Sequence, residues 1–203
     1  KTRGTEAKRK GLEPLAEWLQ QSSLTESVET AAEAYLNDEV ESVEEALQGA
    51  QDIIAEQVSD NPKYRQKILK DTYQHGVITA AKKKKAEDEQ GIYEMYYDFS
   101  EPVKKVANHR ILAMNRGEKE KVLNVKIDVD TRGIENFIRK NEVTAQTEAT
   151  PYIVEAIKDS LKRLIMPSIE REIRGDLTGR AEEHAIDVFG CLLYTSDAAD
   201  ERS

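Results

Sequence analysis

Residues 42–58 read SVEEALQGAQDIIAEQV, and this stretch decides the fold class. Ser42 followed three residues later by Glu45 is a capping box, in which two side chains satisfy backbone N–H groups at a helix start. Apolar residues then recur every three or four positions, at Val43, Ala46, Leu47, Ala50, Ile54 and Val58. This spacing places them in one stripe along a helix. The segment therefore predicts an amphipathic helix whose apolar face packs against other elements.

Helical patterns extend in both directions from this segment. Asn61 followed by Pro62 is the preferred order for an N-cap and the first helical residue, and Gly76 is typical of a helix end. Helices are predicted over 12–19, 25–36, 62–75, 102–117, 132–141 and from 150 onward. Pro167 should bend or break the last of these, because proline removes a backbone donor and clashes with the preceding turn.

One segment alternates with the period of a strand. Leu123, Val125, Ile127 and Val129 alternate with polar residues. A single strand leaves its backbone groups unpaired, so it requires a partner. Residues 77–81 are the nearest candidate, and otherwise the partner lies outside this chain. The predicted fold class is mainly α, an irregular multi-helix bundle with a minor two-stranded β element.

Composition excludes several classes of protein. The 203 residues carry 30 Lys and Arg against 39 Asp and Glu, a net charge of −9, which argues against a protein that coats nucleic acid with its whole surface. Cys191 is the single cysteine, so a disulfide framework is excluded. The sequence has no apolar run of the roughly 20 residues that a membrane helix needs, and no secretory signal. These features predict a cytoplasmic protein without a membrane partner.

No pattern of catalytic or metal-binding residues emerges. His75, His109 and His184 lack the spacing of zinc ligands, and phosphate-binding glycine loops are absent. Residues 128–133 begin like a calcium loop, but Arg132 and Arg139 stand at two ligand positions, so a turn with a left-handed Gly133 is expected instead. We predict no catalytic residue, metal or cofactor, and no enzyme activity. A Ser-His-Asp triad stays open as an alternative, because its members need not be close in sequence.

Two basic segments, residues 1–10 and 82–85, are candidate contacts for nucleic-acid phosphates. The candidate contact residues are Lys1, Arg3, Lys8, Arg9, Lys10, Lys82, Lys83, Lys84, Lys85, Arg110 and Arg116. The first segment shows no apolar face and is predicted to be a basic arm. The alternative is solvated surface charge, which is favoured by the acidic residues at 87–89. Tyr93, Tyr96 and Tyr97 could stack on bases, although aromatic residues in such apolar surroundings are more often part of a core.

Five blocks of sequence carry a resemblance to a known family. They are KTRGTEAKRKGLEPLA at 1–16, ALQGAQDIIAE at 46–56, YDFSEP at 97–102, NHRILAMNRG at 108–117 and RAEEHAIDVF at 180–189. In this order they resemble the Tex family of bacterial transcription accessory proteins. The resemblance covers residues 1–189.

The resemblance implies a large cytoplasmic protein that binds nucleic acid, RNA especially, and supports transcription. Such proteins have a helical N-terminal half, then a YqgF domain, helix-hairpin-helix elements and an OB-fold RNA-binding domain. This chain would be an internal fragment of the helical half, ending just before the YqgF domain. We expect a non-catalytic helical scaffold segment whose parent binds RNA or single-stranded nucleic acid and contacts transcription machinery. The alternative is a helical protein–protein interaction module without direct nucleic-acid contact.

The last residues differ from the rest of the chain. Residues 191–203, CLLYTSDAADERS, continue no helical period and resemble translated sequencing-adapter read-through. The expected organisation is therefore a basic arm at 1–10, a helical region at 11–190 and an artefactual tail at 191–203.

Overall fold

The computed structural model describes the backbone of residues 1–202 and the side chains of residues 1–192. The chain forms two compact units. Unit 1 comprises Lys1–Ile68 with Asp130–Ile169, and unit 2 comprises Leu69–Val129 with the chain from Glu170 onward. The helices are α1 Arg3–Arg9, α2 Glu13–Leu19, α3 Val28–Glu33, α4 Val43–Asp60, α5 Pro62–His75, α6 Asn108–Lys119, α7 Arg132–Glu142, α8 Thr150–Asp159 and α9 Met166–Arg202. The mainly α class is confirmed.

Helix α4 is the centre of unit 1, as its apolar stripe predicts. It contacts α1, α2, α3 and α8. Its buried side chains include Ala46, Leu47, Ala50, Ile53, Ile54, Ala55 and Val58. The start of α4 differs in one detail from the predicted capping box. Ser42 Oγ accepts a hydrogen bond from the Glu45 N–H at 3.2 Å, whereas the Glu45 carboxylate accepts from the Glu41 N–H at 3.1 Å.

Residues 1–10, the predicted basic arm without an apolar face, are largely helical, because α1 occupies most of them. Gly4 and Ala7 on this helix are buried, and α1 packs on α4. The carboxylate of Glu56, from α4, accepts hydrogen bonds from the Gly4 N–H and, at 2.6 Å, from the Thr2 hydroxyl. A carboxylate at a helix N-terminus satisfies free N–H groups and favours the helix dipole. Thr2 and Thr5 form a capping box at the same helix end, so this helix has a local stabilising signal as well as a distant one.

Pro167 lies beside a change of helix type, as expected of a helix-breaking residue. Residues Ser160–Ile165 form a π-helical segment between α8 and α9. Such a segment widens the helix locally and accommodates a proline that cannot donate to the preceding turn. The buried Ser160 hydroxyl donates to the Ala55 carbonyl of α4 at 2.6 Å. Beyond it, α9 is helical through Arg202, although residues 191–203 show no helical periodicity in the sequence. No glycine or proline interrupts residues 191–202.

Unit 2 contains an antiparallel sheet with strand order β2-β1-β3. Its strands are β1 Val77–Lys82, β2 Asp98–Pro102 and β3 Leu123–Asp128. The predicted pairing is confirmed, since Ile78 lies opposite Ile127 and Ala80 opposite Val125. The predicted two-strand count is wrong, because β2 pairs with the other side of β1. The sequence of β2, DFSEP, shows no sustained alternation of apolar and polar residues. Only its pairing with β1 identifies it as a strand.

Three local predictions around this sheet are wrong. Pro102 ends β2 instead of starting a helix, and α6 begins at Asn108. Gly117 lies inside α6, and the left-handed residue that follows the helix is Lys121, with φ 65°. Gly133 is part of α7 and not a left-handed turn residue. In each case tertiary packing, and not the local turn signal, decides where the helix or strand begins or ends.

The outer edge of β3 is covered by two side chains of α9. The Ile127 N–H donates to the Glu170 carboxylate, and Arg174 Nη1 lies 3.5 Å from the Val125 carbonyl oxygen. Burial raises the pKa of Glu170 above its usual range, although the hydrogen bond from Ile127 acts in the opposite direction. Covering an edge strand prevents it from pairing with another chain.

Asp52 in α4 gives unit 1 a pH-dependent stability. It is 8% exposed, and its carboxylate accepts a hydrogen bond from Gln48 Nε2 at 3.0 Å. Burial raises its pKa, so the folded chain binds this proton more readily than the unfolded chain. The contribution of Asp52 to stability therefore falls as pH rises through the raised pKa.

We expect Asp52→Asn to raise the thermal unfolding midpoint at neutral pH. The asparagine oxygen can still accept from Gln48, but no buried charge remains. Thermal unfolding followed by circular dichroism should show that this gain in the unfolding midpoint becomes smaller at pH values below the usual pKa of aspartate. The exposed substitution Asp38→Asn is the control, and an equal gain from both variants would contradict a burial effect.

Candidate nucleic-acid interface

The predicted contact residues in unit 1 are largely neutralised by acidic neighbours. The ion pairs are Lys1–Glu6 at 3.5 Å, Lys8–Glu13 at 3.9 Å, Arg9–Glu6 at 2.5 Å and Arg9–Glu39 at 3.0 Å. The hydrogen bond from Arg9 is the main reason that the pKa of Glu6 falls to about 2. These side chains are exposed, so each pair contributes little to stability, but the acids reduce the local positive potential.

Arg3 and Lys10 lie beside a cavity of about 420 Å³ in the same unit. Its lining also contains four acidic residues, Glu6, Glu39, Glu45 and Asp52. An anionic strand would meet more carboxylates than cations there. The cavity therefore has the wrong charge balance for phosphate contact.

The lysine run lies at the end of β1, in unit 2, and is exposed. The Lys82 N–H donates to the Tyr97 carbonyl at 3.3 Å, and its Nζ lies 5.5 Å from the centre of the Tyr97 ring. The Lys83 N–H donates to the Val122 carbonyl at 2.9 Å, which brings Lys83 beside Lys121. In the described part of the chain, Lys83, Lys84 and Lys85 make no ion pair.

Three more cations continue from this run along the end of α6. Arg116, Lys119 and Lys121 are exposed, and together with Lys83, Lys84 and Lys85 they form what we call the basic surface. The two acids between them, Glu118 and Glu120, both accept hydrogen bonds, but Glu120 is exposed and keeps its negative charge beside Arg116 and Lys119. Glu118 accepts from Arg174 Nη2 at 2.8 Å, and Glu120 accepts from the Tyr93 hydroxyl at 2.6 Å. Lys119 and Lys121 were not among the contact residues predicted from the sequence. Lys121 becomes visible as a candidate only from the register of β1 and β3, which places the start of β3 beside the lysine run.

Arg110 is not part of the basic surface. It forms an ion pair with Glu101 at 2.6 Å and lies 5.5 Å from the centre of the Phe99 ring. Its charge is thus neutralised and its side chain packs on an aromatic ring. Arg116 is exposed, whereas Arg110 lies in a separate, packed environment.

The tyrosines of residues 93–97 belong mostly to the core of unit 2. Tyr93 and Tyr96 are 4% and 6% exposed, so they cannot stack on bases, and the core interpretation is confirmed for both. Tyr97 is half-buried, and its hydroxyl donates to Asp88 at 2.7 Å. That hydrogen bond is the main reason that the pKa of Asp88 is lowered. Asp88 also accepts from the backbone N–H groups of Ile92 and Tyr93, and so fixes this loop.

The described part of the chain offers no cluster of metal ligands. No group of three or more His, Cys, Asp or Glu side chains there is arranged to hold a metal ion. His75 ends α5 as expected, and His184 and Cys191 are exposed. Among the described helices, none combines the length and the apolar character needed to cross a membrane.

Comparison with known proteins places the chain among relatives of the Tex central region. Residues 23–189 match the model of the Tex central region-like family. The chain is 45% identical over 193 residues to the Bacillus subtilis protein YdcI, which covers 93% of the chain and 27% of YdcI.

Two further relatives have names that describe a role. S1 RNA-binding domain-containing protein 1 of Homo sapiens is 34% identical over 134 residues, 61% of the chain and 14% of that protein. Transcriptional accessory protein Tex of Neisseria gonorrhoeae is 28% identical over 199 residues, 93% of the chain and 26% of that protein. The chain thus spans about a quarter of the length of YdcI and Tex.

Proposed function

Since the chain belongs to the Tex central region-like family, we propose that it is a non-catalytic helical scaffold that contributes one phosphate-contacting surface to a nucleic-acid-binding transcription accessory protein. The names of its relatives support the context, as one is a transcriptional accessory protein and another an S1 RNA-binding domain-containing protein. We place this role in the cytoplasm and assign RNA or single-stranded nucleic acid as the partner of the parent protein. Contact with transcription machinery belongs to the same proposal.

The basic surface of unit 2 is the observation that carries the proposal. Three of its six cations follow β1, and the pairing of Lys83 with Val122 brings that segment beside Lys121, after the end of α6. Glu118 is paired with Arg174, and Glu120 accepts a hydrogen bond from the Tyr93 hydroxyl. Lysine and arginine side chains that neutralise phosphates release counterions, which gives affinity without sequence preference. The cations of α1 are proposed as weaker contributors, because acidic partners surround them.

Replacing Lys83, Lys84 and Lys85 together by Gln should weaken single-stranded RNA binding about 10-fold at low salt. It should also flatten the dependence of log K on log salt, because each lost phosphate contact removes roughly 0.7 from the slope for a single strand. Fluorescence anisotropy of a labelled oligonucleotide, titrated at several salt concentrations, measures both quantities.

A charge-matched control replaces Lys104, Lys105 and Lys140, which are exposed and outside the basic surface. This control should retain most of the affinity and of the salt slope. Equal losses in the two variants would show that only net charge matters, and no binding of RNA by the unmodified chain at low salt would refute the proposal.

The second candidate is a helical protein–protein interaction module. It is favoured by Ile92 and Met95, which are 64% and 65% exposed although Asp88 holds their loop in place. Exposed apolar side chains on an ordered loop are typical of interaction sites. Absence of RNA binding together with retained folding would favour this candidate.

The organisation of the chain is part of the proposal. Residues 11–190 are assigned to the helical region, and residues 191–203 to adapter-derived sequence, consistent with a family match that covers residues 23–189. Sequencing of genomic DNA across the codon of Gly190 tests this assignment, because authentic coding sequence for 191–203 would contradict it.

A further inference from the structure

The groove between α6 and α9 in unit 2 carries an inference that rests on the proposed function and makes it more specific. We infer that this groove binds one nucleotide unit of a single strand, with preference for a base that has an exocyclic amino group. Its lining consists of Leu112, Asn115, Arg116 and Lys119 from α6, Glu120 directly after α6, and Thr178 and Glu182 from α9. Its volume is about 590 Å³, within the range of small-molecule sites.

The walls of the groove are held in place by a hydrogen-bonded network. Asn115 Nδ2 donates to Thr178 Oγ1 at 2.8 Å, and Asn115 Oδ1 accepts from Arg174 Nη2 at 2.9 Å. Arg174 also bonds to Glu118, so α6 and α9 are linked through four polar side chains. A site formed before its ligand arrives loses little conformational entropy on binding.

Two cations of the groove are available to a phosphate. Arg116 and Lys119 are three residues apart on α6, so they lie on the same face of the helix. In the described part of the chain, neither forms an ion pair. A guanidinium group binds two phosphate oxygens at once, and an ammonium group adds a point charge. The groove also adjoins the basic surface, because both residues belong to it.

The rest of the groove suits a nucleobase better than a simple anion. Leu112, one turn before Arg116, supplies an apolar surface. Thr178 Oγ1 accepts from Asn115, which leaves its O–H free to donate to a base carbonyl or ring nitrogen. Glu182, one turn beyond Thr178, is an exposed carboxylate that repels a bare anion but accepts from an amino group.

These donors and acceptors favour bases with an amino group over uracil, and an unpaired strand over a duplex. Cytosine, adenine and guanine carry an amino group that Glu182 can accept from, whereas uracil has none. In a duplex, pairing already occupies these base edges. The groove therefore fits an unpaired nucleotide, with its phosphate on Arg116 and Lys119 and its amino group on Glu182.

Anisotropy titrations with short oligo(C) and oligo(U) test the groove on the full chain. We expect oligo(C) to bind about 5-fold more tightly than oligo(U), the effect of one discriminating hydrogen bond. Glu182→Gln should reduce this preference, since an amide donates as well as accepts. Glu183→Gln is the matched control, because it removes the neighbouring charge outside the groove lining.

A second pair of variants, at Thr178, leaves the net charge of the chain unchanged. Thr178→Val should weaken oligo(C) binding about 5-fold without changing the salt slope, and Thr178→Ser should restore it because the hydroxyl returns. Thermal unfolding of both variants shows whether losing the hydrogen bond with Asn115 lowers the stability of the fold. A loss of affinity without a loss of stability supports a direct role in binding. Loss of binding in both variants would contradict a role for the hydroxyl.

The outcomes separate this inference from the function on which it rests. Equal binding of oligo(C) and oligo(U), with a loss only in the Lys83, Lys84 and Lys85 variant, would overturn the groove and leave the proposed function intact. Failure of the unmodified chain to bind either oligonucleotide at low salt would overturn both. A preference for oligo(C) that is reduced in Glu182→Gln and persists in Glu183→Gln supports both.

Discussion

Ile54→Ala should lower the free energy of unfolding of unit 1 by about 2–5 kcal/mol, the cost of removing a large buried aliphatic side chain and leaving a cavity. Ile54 lies in α4 and is fully buried, and α4 contacts four of the helices of this unit. A neighbour that moved into the space would therefore lose contacts of its own. Denaturant unfolding followed by circular dichroism should show a lower midpoint.

Ile92→Ala is the matched control for this prediction. The same atoms are removed, but Ile92 is 64% exposed, so the change in stability should be within about 0.5 kcal/mol. A similar loss in both variants would contradict the burial assigned to α4. A loss of partner binding in Ile92→Ala without a loss of stability would instead support the interaction-module alternative.

Gly117→Ala should destabilise unit 2 by about 1–3 kcal/mol, although alanine favours a helix over glycine. A Cβ atom at this position in α6 would lie 2.4 Å from Leu123 Cδ1 and 2.7 Å from its Cγ. Leu123 is fully buried at the start of β3, so it cannot move aside without disturbing its own packing. Chemical denaturation measures the expected loss.

Gly175→Ala should have the opposite sign. No atom lies within 4 Å of the Cβ position at Gly175 in α9, so the variant gains helix propensity, roughly 0.5–1 kcal/mol, without a steric cost. A stabilised Gly117→Ala variant would show that α6 and β3 are not as close as described. Comparison of the two variants removes the general effect of replacing glycine in a helix.

The candidate site could be predicted only in part. The lysine run at residues 82–85 is visible in the sequence, but the Lys83 pairing with Val122, which adds Lys121, depends on the register of β1 and β3. Arg110 resembles Arg116 in the sequence, yet the structure pairs Arg110 with Glu101 and leaves Arg116 exposed. The groove between α6 and α9 joins residues more than sixty positions apart, which no local pattern reveals.

The amino-acid sequence by itself determined the long helices and the pairing of its two clearest strands. Periodic apolar residues in α4 and alternating ones in β3 reflect the geometry of single elements, and such patterns are local. Tertiary structure decided that the helix at residues 3–9 packs on α4, where Glu56 adds hydrogen bonds to the local capping box of Thr2 and Thr5. It also decided that residues 98–102 form a strand and which cations remain available. Those outcomes depend on partners distant along the chain, whose positions only the packed fold defines.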